Sequence, residues 1–303
     1  MSLLSVLAPR FSKRRLLLSI IRDFRYHPSS IIGRLAPINF HNARICASLR
    51  MHCCVCGHEG SMSYDFPDVR LRKAHGIGLL RETLRCKSCG ATMRDRQLAC
   101  GLLKIIAKRV GQTEADLRAF RENPRATLRI LDSDSFSPVN QIMRGLQGYV
   151  HSQFLPDRRA GETIADGSVN VNLEAIPFPE ASFDVILTSD VMEHVEGDAQ
   201  AHREIFRCLA PEGTYLFTVP YDSSMVGHRQ LTQGTGLPSR CFILEKHIHG
   251  DPHAKSGIIA HRIYGRRLLD DLGGLGFDVS FESVDCPSSG IFGGVLFFAH
   301  KKA

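Results

Sequence analysis

Two cysteine pairs at matched spacing are the first residues in this chain that invite chemistry. Cys53-x-x-Cys56 and Cys86-x-x-Cys89 have 29 residues between them, and each pair is followed by a glycine, Gly57 and Gly90. Glycine there permits the tight turn that brings two thiolates onto one ion. Four sulfurs so arranged suit a tetrahedral structural Zn2+, with Cys54 and His58 as neighbouring alternatives for one ligand. A disulfide clip is the competing reading, and no secretory signal precedes the cysteines to favour it.

The second chemical stretch is "RILDSDSFSPVN", Arg129 to Asn140. A short apolar run ends in an acidic, serine-rich turn just before Pro138, which suits the first turn of a helix. In a doubly wound α/β protein the turn after the first strand usually carries glycines, because backbone must approach a ligand closely. This turn has none. Either Asp132 and Asp134 supply by side chain what backbone supplies elsewhere, or Asp134 or Ser137 simply caps the helix.

Both stretches need a scaffold, and the patterning predicts one. Strand-like runs fall at 127–131, 148–154, 168–172, 183–189, 213–219, 277–282 and 295–299. Helical periodicity lies between them at 139–146, 199–209 and 266–275. Alternation of this kind implies a parallel sheet with helices on both faces and ligands at the carboxyl ends of its strands. A further helix starts near Arg94, with Leu98, Leu102, Ile105 and Ile106 as its apolar stripe. The arginines at its entry, Arg94 and Arg96, either hold an anion or stay solvated while Asp95 caps.

At 303 residues, 43% hydrophobic and 23% charged, the chain has room for one large and one small domain and no compositional signature of disorder. The net charge of +7 is concentrated at the start. Up to His58 the only acid is Asp23, against Arg10, Lys13, Arg14, Arg15, Arg22, Arg25, Arg34, Arg44 and Arg50. Leu17, Ile20, Ile21 and Phe24 recur at helical spacing among these arginines, which describes an interfacial helix. No run reaches the ~18 apolar residues of a membrane span. The expectation is a basic arm over 1–45 that meets an anionic membrane from the cytoplasmic side, with nucleic acid a weaker partner. An organellar transit peptide is the alternative. A zinc knuckle and its helix then occupy 46–110 and the sheet domain 111–303, with an acceptor-side insertion at 221–261.

The stretch from Asn172 to Pro220 carries Ile176-Pro177-Phe178, Ser182-Phe183-Asp184, Glu193-His194, Glu204-Ile205-Phe206-Arg207-Cys208-Leu209 and Pro211-Glu212-Gly213 in order. It resembles the central half of a class I S-adenosylmethionine-dependent methyltransferase. From Cys53 to the C-terminus the chain resembles a bacterial subgroup of that family with an N-terminal zinc knuckle. Arg94-Asp95-Arg96-Gln97-Leu98 and Arg262-Ile263-Tyr264-Gly265 match two of its motifs. The resemblance implies a Rossmann-like seven-stranded sheet, an S-adenosylmethionine cofactor and a small-molecule, sugar or lipid-linked glycan acceptor. It implies cofactor contacts from Asp132 and Asp134, Gln153, Asn172 and Leu173, and Ser189 and Asp190, at the ends of the first four strands. Gln153 and Asn172 stand where the family usually has acids. His194, Tyr264 and Arg262 are the candidates on the acceptor side. The alternative is a weakened methyltransferase fold serving as a zinc-containing binding module. "HIHGDPH", His247 to His253, belongs to the acceptor-side loop on this reading rather than to a metal site.

Overall fold

The alternating apolar runs become one seven-stranded sheet. The computed structural model describes residues 50–64, 78–233, 241–242, 248–249 and 258–303. The basic arm and most of "HIHGDPH" lie outside the described residues. In chain order come α1 (Gly78–Thr83), α2 (Met93–Val110), α3 (Leu117–Glu122), β1 (Ile130–Asp132), α4 (Pro138–Met143), β2 (Tyr149–Gln153) and β3 (Val169–Asn170). They are followed by β4 (Phe183–Ser189), α5 (Asp198–Cys208), β5 (Leu209–Thr218), α6 (Arg267–Gly274), β6 (Phe277–Cys286) and β7 (Ile291–Lys301). The sheet order is β6-β7-β5-β4-β1-β2-β3. β1 to β5 run parallel, and β7 inserts antiparallel between β5 and β6. This is a Rossmann-like, doubly wound seven-stranded sheet, as expected from the sequence.

Side-chain alternation explains why both faces are covered. All seven residues of β4 are buried. Val185 and Leu187 face a core shared with α2, while Ile186 faces a second core with α5 and α6. A parallel strand buried on both sides needs such a continuous apolar run. The last two strands extend beyond the expected bounds because β6 and β7 form one long hairpin paired from Phe277↔Lys301 to Cys286↔Ile291.

The cysteine-rich module is not set apart from this scaffold. Met51, Cys53, Leu84 and Cys86 belong to the same buried cluster as Leu102, Leu187, Leu216 and Leu296. α2 is the shared wall. At Gly101 an added Cβ would lie 2.5 Å from Leu296 Cδ2 and 3.0 Å from Leu216 Cδ1, so only glycine allows the helix this close to the sheet. Each fully buried leucine at this wall contributes about 1.5–3 kcal/mol.

α2 starts where the sequence indicated, and its cap shows why. Thr92 is the N-cap, and Asp95 completes a capping box with it. Neither neighbouring arginine is solvated. Arg96 is fully buried, and its guanidinium donates to the carbonyls of Leu84, Ala91, Ser289 and Gly290. It thus ties the module to the turn between β6 and β7. Arg94 crosses into the sheet's ligand side.

Candidate functional site

The acids of the glycine-free loop after β1 find their partners close by. Asp132 is 1% exposed; its Oδ1 accepts from the Asp134 amide at 3.0 Å and its Oδ2 from the Tyr149 hydroxyl at 2.5 Å. Asp134 Oδ1 accepts from the amides of Phe136 and Ser137 at 2.9 and 3.0 Å. Ser137 Oγ accepts from the Asn140 amide as the N-cap of α4, with Pro138 in its first turn. Side chains therefore take up donors that a glycine loop would leave for a ligand. The capping reading is what the structure displays, and Asp132 lies beneath the loop rather than on its outer surface. Burial, then the charge of Asp134, pushes the Asp132 carboxyl up to about 7.

The end of β4 is built differently. Asp190 sits in the left-handed region at φ 50°, and its amide donates to the Thr218 carbonyl at 3.0 Å. Arg81 Nη2 donates to its Oδ1 at 2.8 Å, Arg94 Nη1 to its Oδ2 at 3.1 Å, and the Thr218 hydroxyl to Oδ1 at 2.8 Å. Burial alone would raise this carboxyl; Arg81 and Arg94 outweigh it and hold it well below the usual carboxylate range. Asp190 is thus not an open cofactor acceptor, because two cations from the cysteine-rich module already occupy it. Beside it three groups are buried without hydrogen-bond partners: the hydroxyls of Ser133 and Ser189 and both carboxyl oxygens of Glu193. Ser133 follows β1 and Ser189 ends β4, and the Ser133 amide donates to the Leu187 carbonyl at 3.1 Å, so these groups gather where adjacent strands end.

Gln153 and Asn172 also point to local partners. Gln153 donates to the Ser168 hydroxyl at 2.5 Å and lies 3.4 Å from both carboxyl oxygens of Asp166. Asn172 Oδ1 accepts from the Glu174 amide at 2.9 Å, and Leu173 is buried next to it. Two large apolar rings stay exposed on this side, Phe136 at 47% and Phe154 at 54%.

On the acceptor side the structure separates the three candidates. Tyr264 is fully buried, its hydroxyl 3.1 Å from the Met192 carbonyl and from Asp198 Oδ2. Arg262 is also buried and donates to the carbonyls of Met192, Val195 and Glu196. Neither side chain is presented to a ligand; both pin the turn after β4, where the sequence reading placed them on the acceptor side. His194 keeps a half-buried position, with Nδ1 2.8 Å from the Ile259 carbonyl and Nε2 3.8 Å from Glu193 Oε1. The acceptor-side insertion is described in part, where Arg229–Gln230 pairs antiparallel with Arg262–Ile263.

The cysteines come together. The sulfurs of Cys53, Cys56, Cys86 and Cys89 all lie within 4.8 Å of one another. Cys53 Sγ is 3.8 Å from Cys89 Sγ, and Cys56 Sγ is 3.7 Å from Cys86 Sγ. Gly57 and Gly90 adopt φ of 73° and 76°, the turn conformation their positions implied. Cys54 stands outside the cluster, its thiol donating to the Arg96 carbonyl at 3.0 Å.

Residues 156–217 match the methyltransferase domain family. The matched segment spans β3, β4, α5 and most of β5. A probable S-adenosylmethionine-dependent methyltransferase of Mycolicibacterium smegmatis is 43% identical over 49 residues, which is 16% of this chain and 19% of that protein. The chain thus spans about a fifth of the length of this curated relative. An S-adenosylmethionine-dependent methyltransferase structure from Mesorhizobium loti aligns with a TM-score of 0.37 at 19% identity, covering 61% of this chain and 95% of the other. A Burkholderia thailandensis 1,6-didemethyltoxoflavin-N1-methyltransferase structure aligns with a TM-score of 0.35 at 13% identity, covering 67% and 77%.

The matched segment begins after β2, so the glycine-free loop lies outside it. Ser133, Glu193, Arg81 and Arg94 are the site residues that sequence reasoning passed over or placed elsewhere. Glu193 was visible as half of the Glu193-His194 motif. Arg81 carries no signal, because its partner is distant in the chain and belongs to another module.

Proposed function

We propose that this chain is an S-adenosylmethionine-dependent methyltransferase acting on a small molecule, a sugar or a lipid-linked glycan. The observation that carries the reading is the set of orphaned groups, Ser133, Ser189 and Glu193, where β1 and β4 end side by side. Buried polar atoms without partners are costly, about 1–3 kcal/mol each, and persist where a ligand completes them. The cofactor offers an amino-acid head, a ribose diol, an adenine and a cationic sulfur, so hydroxyl and carboxyl groups at these strand ends fit it. When bound it supplies an activated methyl group.

The chain's own residues then bind and position. Ser133, Ser189 and Glu193 face the amino-acid head and sulfur; Gln153, Asn172 and Leu173 border the ribose and adenine. Asp132 and Asp134 act from behind by holding the loop in shape, and Asp190 by anchoring the β4 end. His194 stands on the acceptor side, with Arg262 and Tyr264 as positioning residues for its turn. Positioning of this kind can account for much of the barrier lowering in an in-line displacement. Calorimetry of the purified chain with S-adenosylmethionine and S-adenosylhomocysteine tests the reading; binding of both is expected. Failure of both to bind would move the protein to the binding-module alternative.

The cysteine cluster supports a structural Zn2+ held by Cys53, Cys56, Cys86 and Cys89. Tetrahedral coordination at a Zn–S length of about 2.3 Å places sulfurs about 3.8 Å apart, close to the two separations seen here. About one zinc per chain is expected on elemental analysis, lost in Cys86→Ser. The basic arm supports peripheral contact with anionic membrane, each Lys or Arg near such a surface contributing about 1 kcal/mol. Vesicle binding should need acidic lipid, weaken with salt and fall when residues 1–30 are deleted. Among the described residues no helix is long and apolar enough to cross a membrane.

A further inference from the structure

Glu193 is the least explained group in the molecule. It has no solvent exposure, and neither carboxyl oxygen takes a hydrogen bond. The charged and titratable groups that face it are Asp190 and His194 from its own turn, Arg81 from α1, Arg94 from α2 and Tyr215 from β5. Its main-chain carbonyl accepts from the His261 amide at 2.7 Å, so the segment before Arg262 closes over the turn. Arg81 and Arg94 are both bound to Asp190. The remaining neighbour able to carry positive charge, His194, has Nε2 3.8 Å from Glu193 Oε1, beyond hydrogen-bond reach, so the ionised form stays unfavourable until a closer positive charge arrives.

The proposed cofactor brings such a charge and later loses it. Its sulfur is a sulfonium before methyl transfer and a neutral thioether afterwards. We propose that Glu193 responds to that charge: it holds a proton in the ligand-free protein, releases it when S-adenosylmethionine binds, and takes up the proton that the acceptor loses on transfer. This rests on the methyltransferase reading above. The step balances. The S–CH3 bond breaks with its electron pair left on sulfur, a lone pair of the acceptor forms the new bond to carbon, and the acceptor's proton ends on the Glu193 carboxylate. Sulfonium and carboxylate become thioether and carboxylic acid, so the site has no net charge from this pair at either stage. Burial, then the charge of Asp190, holds the Glu193 carboxyl well above the usual carboxylate range, which supports the protonated resting form. After transfer both groups are neutral, so the thioether product is held without the charge attraction that joined sulfonium and carboxylate.

The test needs no acceptor. S-adenosylmethionine and S-adenosylhomocysteine are titrated calorimetrically into the full chain at pH 7, in buffers of different ionisation enthalpy. S-adenosylmethionine should release about one proton more than S-adenosylhomocysteine. Asp132 also titrates near this pH, but both ligands carry the same ammonium, so its contribution cancels in the difference. Glu193→Gln should abolish the difference and lower the ratio of the two affinities about tenfold. Glu193→Asp should retain part of the proton release, which a purely structural role would not predict. Equal proton release for the two ligands in the unmodified protein overturns the proposal, as does an undiminished difference in Glu193→Gln. If neither ligand binds, the methyltransferase reading itself falls.

Discussion

The ends of β1 and β4 lie side by side in one sheet yet treat their acids differently. After β1, every acid has a task within its own loop: Asp132 holds the Asp134 amide and Tyr149, and Asp134 holds two further amides. After β4, Asp190 is held by two arginines from another module, while Ser189 and Glu193 have no partner. A loop that has lost its glycines recovers a defined shape by using side chains as caps, and in doing so it offers fewer backbone donors outward. The neighbouring strand end keeps unsatisfied groups, and the cysteine-rich module pins it. Ligand recognition has in this reading moved across the sheet from β1 toward β4.

The comparison breaks first at Asp190. Asp190→Ala leaves Arg81 and Arg94 facing each other without their shared carboxylate. Removing one partner of a buried pair costs 3–5 kcal/mol; both arginines keep some exposure, so about 3 kcal/mol of unfolding stability should be lost. Denaturant titration measures it. A loss below ~1 kcal/mol would show that the module does not depend on this anchor.

At Asp132 the effect is smaller and depends on pH. Its folded carboxyl titrates at about 7 against the ordinary carboxylate value of 3.8. A raised folded value means that the protonated form is the stabilising one. That stability is complete below about pH 4 and disappears as pH climbs through 7. Asp132→Asn, which cannot ionise, should therefore gain stability relative to the unmodified chain between pH 4 and 7. A flat difference across that window would mean that Asp132 ionises freely and that the loop is more open than its hydrogen bonds indicate.

Why one strand end was legible and the other was not follows from the range of the interactions. The capping of α4 is local: Asp134, Ser137, Pro138 and Asn140 lie within one turn, and residue type with spacing nearly determines the outcome. The strands were legible for a related reason, since each announces itself by its own apolar run. The two cysteine pairs came together because knuckle geometry is written in a few adjacent residues. The pairing of Asp190 with Arg81 joins residues more than a hundred positions apart, and nothing local to either suggests it. Arg96 shows the same limit. Its sequence context reads as a solvated helix entry, but its guanidinium donates to the carbonyls of Leu84 and Ala91 and to those of Ser289 and Gly290, almost two hundred positions away. Tyr264 and Arg262 stand out by motif, and only packing shows that their side chains bond to the turn after β4.

Within the β1 loop, Asp134→Ala removes the acceptor of two amides and should cost about 1 kcal/mol, the usual size of a lost cap. If the loop serves mainly to cap itself, S-adenosylhomocysteine affinity should change less than threefold, or ~0.6 kcal/mol. A larger loss of affinity than of stability would return the loop to direct ligand contact.

The smallest expected stability change is the most informative about β4. The Ser189 hydroxyl is buried and makes no hydrogen bond. Deleting it in Ser189→Ala removes an unsatisfied polar atom and leaves a methyl group, so unfolding stability should stay within ~0.5 kcal/mol and can rise. A hydroxyl retained for folding would show the opposite, a loss of about 1 kcal/mol. Ligand binding should respond in the other direction. If the cofactor completes this group, Ser189→Ala weakens S-adenosylhomocysteine binding by about fivefold to tenfold, equivalent to one hydrogen bond of ~1–1.4 kcal/mol. The same exchange at Ser133 should behave alike, because its hydroxyl is orphaned on the adjacent strand end. If both variants bind as the unmodified chain does, the orphaned groups do not mark the cleft. The contrast between the two strand ends would then be one of packing alone.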